Sequence, residues 1–299
     1  MNEIDKRLKD ISKIIDIDYL LNEQNTEEIV KSYYKINKLA YRVFHNKEGY
    51  LHMGISSSGK YSNNDLEVPL LEIEKYIKEG KVEKVLELAS GHGANTIFLA
   101  DRNPQVEFFA VDLSTKPKRK FYRFENTNFE YGDFHNLKMY ENSSFDIIFI
   151  MEALCHSNNK KKVLEEMYRL LKVDGKVIIY DGYFGREYSN INDNERKASV
   201  LTSVGMAVGE FGDLREFEKE IKISGFEIFE RENLSTHIIP TVKRFEKLSS
   251  FFFWNKHIGK LLKFLLPEMF VRNSISAYLM PVLLKEKIAV YYKHVLRKE

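Results

Sequence analysis

The chain has a single cysteine, Cys155, among 299 residues. That excludes an intramolecular disulfide and any metal site built from several cysteines, and no metal centre is expected. A membrane-spanning run is missing too. The longest uncharged, apolar-leaning stretch near the C-terminus, Asn273 to Leu284, is well short of the ~20 residues a spanning helix needs. The opening M-N-E-I-D-K-R-L-K-D is too charged for a secretory signal. No internal repeat or low-complexity tract is found. These absences point to a soluble, cytoplasmic chain. Net charge is also small: 46 Lys and Arg against 44 Asp and Glu leave +2, which implies no global electrostatic partner. The charge is unevenly placed, however. Residues 240–299 hold twelve basic and four acidic side chains, a local +8, so the remainder sums to −6. Such a basic segment suits a peripheral membrane contact, an anionic ligand or nucleic acid, and equally a set of solvated helix faces.

With 43% hydrophobic residues, the length supports one large domain with an elaborated edge, or one and a half domains. Residues 1–80 read as helical. Apolar residues from Glu27 to Phe44 recur near a 3.6 period, and Ser62 to Asp65 offer caps for a helix over Leu66 to Lys78 that Gly80 closes. From residue 82 onward strands alternate with helices. The expected strands are Val82–Leu88, Val106–Val111, Phe129–Tyr131, Phe145–Ile150, Lys176–Tyr180, Gly225–Glu230 and Ile288–Val295. Helices are expected from about Ala94, over Lys160–Leu171 and over Leu214–Ser224, with a turn at Asp174 and Gly175. Alternation of this kind argues for an α/β fold, a parallel sheet covered on both faces. Residues 231–284 break it with about fifty mostly helical, aromatic-rich positions, read as a lid facing a substrate. The expected division is a helical lid segment over 1–80, a ligand-binding core over 81–183, and insertions, lid helices and closing strands over 184–299.

The chemistry begins at Val85 to Thr96, V-L-E-L-A-S-G-H-G-A-N-T. An apolar strand carrying Glu87 ends in a turn through Gly91 and Gly93, where backbone can approach a nucleoside ligand closely. The turn lacks the third glycine of the dinucleotide fingerprint. Twenty-one residues after Gly91 a second strand ends in Asp112, placed to accept hydrogen bonds from ribose hydroxyls. Asp133, followed by Phe134, can meet an exocyclic amine while the ring stacks on a purine. A fourth strand runs into Met151, Glu152, Cys155 and His156. His156 is a candidate general base, and Asp181 at the next strand end could orient it or face the acceptor itself. A lone histidine is as often a satisfied structural residue.

Together these stretches resemble the class I S-adenosylmethionine-dependent methyltransferases. E-L-A-S-G-H-G is similar to that family's first motif, A-V-D-L-S to its second, Y-G-D-F to its third and S-F-D-I-I-F-I-M-E to its fourth. M-Y-R-L-L-K-V-D-G-K-V-I-I-Y-D resembles the following helix, turn and fifth strand. The flanks G-Y-L-H-M-G-I-S (49–56), L-S-T-H-I-I-P-T-V-K-R-F (234–245) and residues 276–292 resemble the small-molecule branch of sterol, tocopherol and natural-product enzymes. The resemblance implies a Rossmann-like, doubly wound, seven-stranded, mostly parallel sheet with N-terminal helices and a helical lid inserted before the last strand. It implies S-adenosylmethionine as cofactor. Gly91 and Gly93 would pass under the methionine moiety with Glu87, Ala89 and Asn95 alongside. Asp112 would hold the ribose, Leu113 and Phe134 the adenine ring, and Asp133 the adenine amine. Met151 and Glu152 would line the sulfonium side. Tyr33, Tyr34, His52 and Trp254 would contact the acceptor. One departure is plain: only 21 residues separate Asp112 from Asp133, about ten fewer than usual in the family, and a basic loop over 114–123 stands where a helix is expected.

The sulfonium donor is already activated, so the protein mostly supplies proximity and orientation. A base is needed only where the acceptor must lose a proton, and His156 favours an oxygen acceptor, with carbon or nitrogen as alternatives. The aromatic lid implies an apolar or amphipathic small molecule. Two rivals remain at this stage: an RNA methyltransferase using the basic loop, and a non-catalytic binding protein of the same fold. Nucleic acid is not the expected partner, because no basic, aromatic-interleaved module and no N-P-P-Y-type motif is present. Either a monomer or a homodimer is compatible with the sequence.

Overall fold

The computed structural model describes residues 2–22, 29, 32, 36, 45–113 and 115–298. The helix expected over Glu27–Phe44 therefore lies largely outside the described residues. The apolar runs form β1 (Lys84–Leu88), β2 (Glu107–Asp112), β3 (Thr127–Tyr131), β4 (Phe145–Met151), β5 (Leu171–Phe184), β6 (Glu227–Asn233) and β7 (Ala289–Arg297). They make one sheet in the order β3-β2-β1-β4-β5-β7-β6, in which only β7 runs antiparallel to its neighbours. The doubly wound, mostly parallel sheet expected from the sequence is thus observed.

Alternate residues of the central strands feed two apolar layers. Val85, Phe108, Ile147, Phe149 and Ile178 pack on one face, Leu86, Leu88, Ile148, Ile150 and Ile179 on the other. Such two-sided burial is why these strands read as continuous apolar runs rather than alternating ones. α1 (Glu3–Ser12) and α2 (Ile17–Leu21) open the chain. α3 (Val68–Glu79) carries Pro69 in its first turn, stops at Gly80, and is preceded by a 3-10 turn over Asn63–Leu66. α4 (Ala94–Arg102) follows β1, and α5 (Lys160–Leu170), capped by Asn159, follows β4.

The turn expected at Asp174 and Gly175 is instead a bulge inside β5. Phe145 pairs with Leu171 and Ile147 with Lys176, so the extra residues of β5 loop out, with Asp174 left-handed at φ 62°. Among its described residues, the shortened connection after β2 contains a 3-10 turn, Phe121–Arg123, in place of a helix. Phe121 does the covering: it is fully buried against Ile97 of α4 and Ala110 of β2.

After β5 come α6 (Asp193–Gly205) and α7 (Leu214–Ile223), and between β6 and β7 stand α8 (Ile239–Trp254), α9 (Lys256–Leu265) and α10 (Glu268–Lys285). α10 packs on α6 and α8. Among the described residues no helix is long and apolar enough to cross a membrane. Sheet register brings the functional ends together. Leu88 pairs with Val111 and Ile150, and Met151 with Tyr180, so residues 89–91, Asp112, Glu152 and Asp181 lie in one row at the carboxyl edge. That row includes the point between β1 and β4 where strand order reverses, the usual ligand crevice of open α/β sheets.

Candidate active site

A cavity of about 860 Å³ opens above this row and continues beneath α8 and α10. Its floor is the turn after β1. Ala89, Gly91 and Gly93 are all left-handed, at φ 53°, 55° and 72°. Gly91 faces the cavity; a Cβ there would stand 3.1 Å from Leu51 Cδ1. Gly93 lies behind the floor, where a Cβ would come within 2.6 Å of the Phe121 ring. The shortened basic loop therefore sets the shape of the glycine turn from below, and Lys118 N–H adds a 3.0 Å bond to the His92 carbonyl.

Glu87 does not line the cavity. Its carboxylate turns to the N-terminus of α4, accepting from Asn95 Nδ2 at 2.9 Å, from Thr96 N–H at 3.1 Å and from the Thr96 hydroxyl. Burial pushes this carboxyl up to about 7 despite those bonds. Its place is that of a buttress for the turn, which corrects the expectation that it lies beside the ligand. Asn95 does line the cavity, and its Oδ1 stands 3.2 Å from His52 Nε2. His52 also lines the cavity, and burial lowers its pKa.

Asp112 ends β2 at the cavity wall. Its Oδ2 accepts from Gly91 N–H at 2.9 Å and its Oδ1 from Thr115 N–H at 2.6 Å, so the glycine turn and the acid are tied together. Leu113, Asp133 and Phe134 line the same end. Asp133 carries a partner that sequence reasoning missed. Its Oδ1 is 2.6 Å from His135 Nδ1, and His135 Nε2 is 2.8 Å from Ser157 Oγ. The Asp133-x-His135 spacing and the serine after His156 were the available signals.

Met151, Glu152, His156 and Asp181 line the middle of the cavity. Glu152 is left-handed at φ 47°, an uncommon state for a residue with a side chain and one found at functional sites. Its Oε1 accepts from Tyr291 Oη at 2.8 Å and from Met53 N–H at 2.5 Å. Burial pushes its carboxyl up to about 7, and nearby Asp181 adds to that. Asp181 accepts from Cys155 N–H at 2.9 Å and from Gly182 N–H at 2.7 Å, and burial raises it to about 6. Asp181 therefore holds the segment after β4. The His156 imidazole places Nδ1 3.1 Å from the Ala207 carbonyl, and burial depresses its pKa to about 4. Such an imidazole is neutral at pH 7 but a weak proton acceptor.

Two expected acceptor contacts, Tyr33 and Tyr34, lie outside the described residues. Trp254 is a correction. It ends α8 with 76% of its surface exposed and is not part of the cavity, because the neighbouring Phe252 and Phe253 take the buried positions of that turn. The apolar wall is formed instead by side chains such as Val242, Phe245, Leu248, Phe252 and Met280.

A family model described as "Methyltransferase domain" matches residues 79–220. Sterol 24-C-methyltransferase of Saccharomyces cerevisiae is 26% identical over 152 residues, covering 50% of this chain and 37% of that protein. Demethylmenaquinone methyltransferase of Thermotoga maritima is 33% identical over 110 residues, covering 36% of this chain and 48% of that protein. The chain spans less than half the length of these curated relatives. Among solved structures, the cyclopropane synthase MmaA2 from Mycobacterium tuberculosis superposes with a TM-score of 0.70 at 12% identity, covering 93% of this chain and 100% of that one. Geranyl diphosphate C-methyltransferase from Streptomyces coelicolor superposes with a TM-score of 0.60 at 10% identity, covering 93% and 99%. These superpositions share the fold found here. Over residues 79–220, just under half of the chain, the protein carries a methyltransferase domain of the kind its sequence motifs resemble.

Proposed function

We propose that this chain transfers a methyl group from S-adenosylmethionine to an apolar or amphipathic small molecule, and that Glu152 receives the proton the acceptor gives up. The observation that carries this reading is one continuous cavity. It runs from the Gly91 floor and the Asp112 carboxylate, past Glu152, to an apolar wall on α8 and α10. The relatives given above include enzymes named for a sterol and for demethylmenaquinone, which are acceptors of this class.

The residues present fit the cofactor. Ser90 Oγ is buried at the cavity wall with no hydrogen-bond partner among the described residues, and the Gly91 backbone beside it forms a cradle that a side chain would narrow. Ser90, Gly91 and Met151 would hold the methionine end, Asp112 the ribose, and Leu113, Asp133 and Phe134 the adenine. When bound, the sulfonium supplies a methyl group already activated by positive charge. The chain's own part is orientation, exclusion of water by the lid, and the proton. Glu152 suits the last task better than His156. A carboxyl near 7 is partly ionised at neutral pH and takes up a proton readily, whereas an imidazole near 4 does not. Tyr291 and Met53 hold that carboxylate at the junction of the two ends of the cavity.

Incubation with S-adenosylmethionine carrying a labelled methyl group and with lipid-soluble extracts is expected to label an extractable small molecule. Absence of cofactor binding in calorimetry would remove the reading. Asp112→Ala is expected to weaken S-adenosylhomocysteine binding about 10- to 150-fold in the same calorimetric assay, the worth of hydrogen bonds to a charged group.

A further inference from the structure

The segment joining α8 to α10 carries a surface that methyl transfer does not use. Between Lys247 and Pro267 there is no aspartate or glutamate, while Lys247, Lys256, Lys260 and Lys263 all stand there. The same stretch exposes large apolar side chains. Phe251 and Trp254 on α8 are 59% and 76% exposed; Leu261, Phe264 and Leu265 on α9 are 57%, 86% and 64% exposed.

The exposure is not a sign of a loose helix. Gly259 seats α9 tightly: a Cβ there would stand 2.3 Å from Ile14 Cδ1 and 2.6 Å from the Phe252 carbonyl oxygen. With one side held, the helix still turns apolar side chains outward. Lys256, Lys260 and Lys263 follow at i, i+4 and i+7, which makes one stripe. Leu261, Phe264 and Leu265 follow at i, i+3 and i+4, which makes another. An apolar stripe beside a lysine stripe, with aromatics at its edge and no acid, is the composition of a helix lying in the interface of an anionic bilayer. Lysine stems reach the phosphates while the apolar side chains sink. At ten residues α9 is far too short to span.

The position of the cavity adds a second argument. Leu248 on α8 lines it and is itself 47% exposed, so the apolar chamber meets the surface within two turns of Trp254. Resting on the reading that this chamber takes an apolar acceptor, we propose that α9 and the end of α8 dock on an anionic membrane surface and that the acceptor enters past Leu248 from the bilayer.

Trp254 is the only tryptophan in the chain, so the emission of the full-length protein reports this surface. Vesicles of phosphatidylglycerol and phosphatidylcholine are expected to shift that emission to the blue, and pure phosphatidylcholine to shift it far less. Lys260→Gln should weaken partition about fivefold. The double variant Leu261→Glu, Phe264→Glu should weaken it by about tenfold or more, with circular dichroism and S-adenosylhomocysteine binding unchanged. An unshifted emission with anionic vesicles at about 0.1 M salt overturns the proposal. So does emission that is already blue in the free protein and tracks dimerisation in light scattering, since a second copy then covers the face. Docking seen in a protein that binds no S-adenosylmethionine would discard the methyltransferase reading and leave the docking surface standing.

Discussion

Replacing Glu152 by glutamine is expected to lower turnover by about 10²–10⁴-fold, the usual worth of a positioned acid–base group, while S-adenosylhomocysteine still binds. The side chain keeps its size, so the effect isolates the proton. In the parent protein the turnover rate should rise with pH through an apparent value near 7, where burial has placed this carboxyl. That limb should vanish in the variant. An unchanged rate would remove Glu152 from the reaction. The same pair of proteins carries a stability prediction of definite sign. The fold raises Glu152 from 4.5 to about 7, so the folded chain holds a proton that the unfolded chain has already released. The stabilisation belonging to the protonated form is complete below 4.5 and is lost as pH rises through 7. Glutamine removes that loss. The variant should therefore gain roughly 3 kcal/mol on the parent between pH 5 and pH 8, read from urea midpoints at each pH. His156 works in the opposite direction. Its depressed pKa costs stability as pH falls from 6.5 towards 4, in both proteins equally, so it drops out of the difference.

Gly93→Ala is expected to destabilise the fold by about 2–5 kcal/mol, a large share of the total stability of a domain this size. Two separate costs contribute. The residue sits at φ 72°, where a side chain costs roughly 1–2 kcal/mol. Its Cβ would also stand 2.6 Å from Phe121 Cδ2, and over-packing of that kind costs about 1–3 kcal/mol. A double-mutant cycle separates them. In a Phe121→Ala background, itself lower by about 3–5 kcal/mol, the steric part of the Gly93→Ala effect should disappear and the backbone part remain. Equal effects in the two backgrounds would mean that the basic loop does not brace the turn.

The sheet was legible because its strands are buried on both faces, and buried strands leave unbroken apolar runs in the sequence. The convergence at the cavity end of the sheet was legible for a related reason. Gly91, Asp112 and Asp133 each sit at a strand end, and strand ends in a parallel sheet converge without further instruction. The bulge at Asp174 was not legible, since a left-handed residue followed by glycine reads as a turn whether or not pairing resumes beyond it. Glu87 was misplaced for want of direction: spacing puts it in β1, but only the packing of α4 shows that its carboxylate faces Thr96 and Asn95. Trp254 followed the same pattern, an aromatic correctly assigned to a lid helix and wrongly assigned to its inner side.

By itself, then, the sequence determined the strands, the glycine turn, the acids at the strand ends and the kind of ligand they suit, because each is written in consecutive residues. Only the tertiary structure decided how the acids are used. Tyr291 reaches Glu152 across 139 positions of chain, and Met53 reaches it across 99. Asp181 is committed to Cys155 N–H, and His156 is buried beside Ala207. Proton affinity depends on desolvation and on the partner that burial supplies. Both are set by which distant segments the fold brings together, and local spacing carries no record of that.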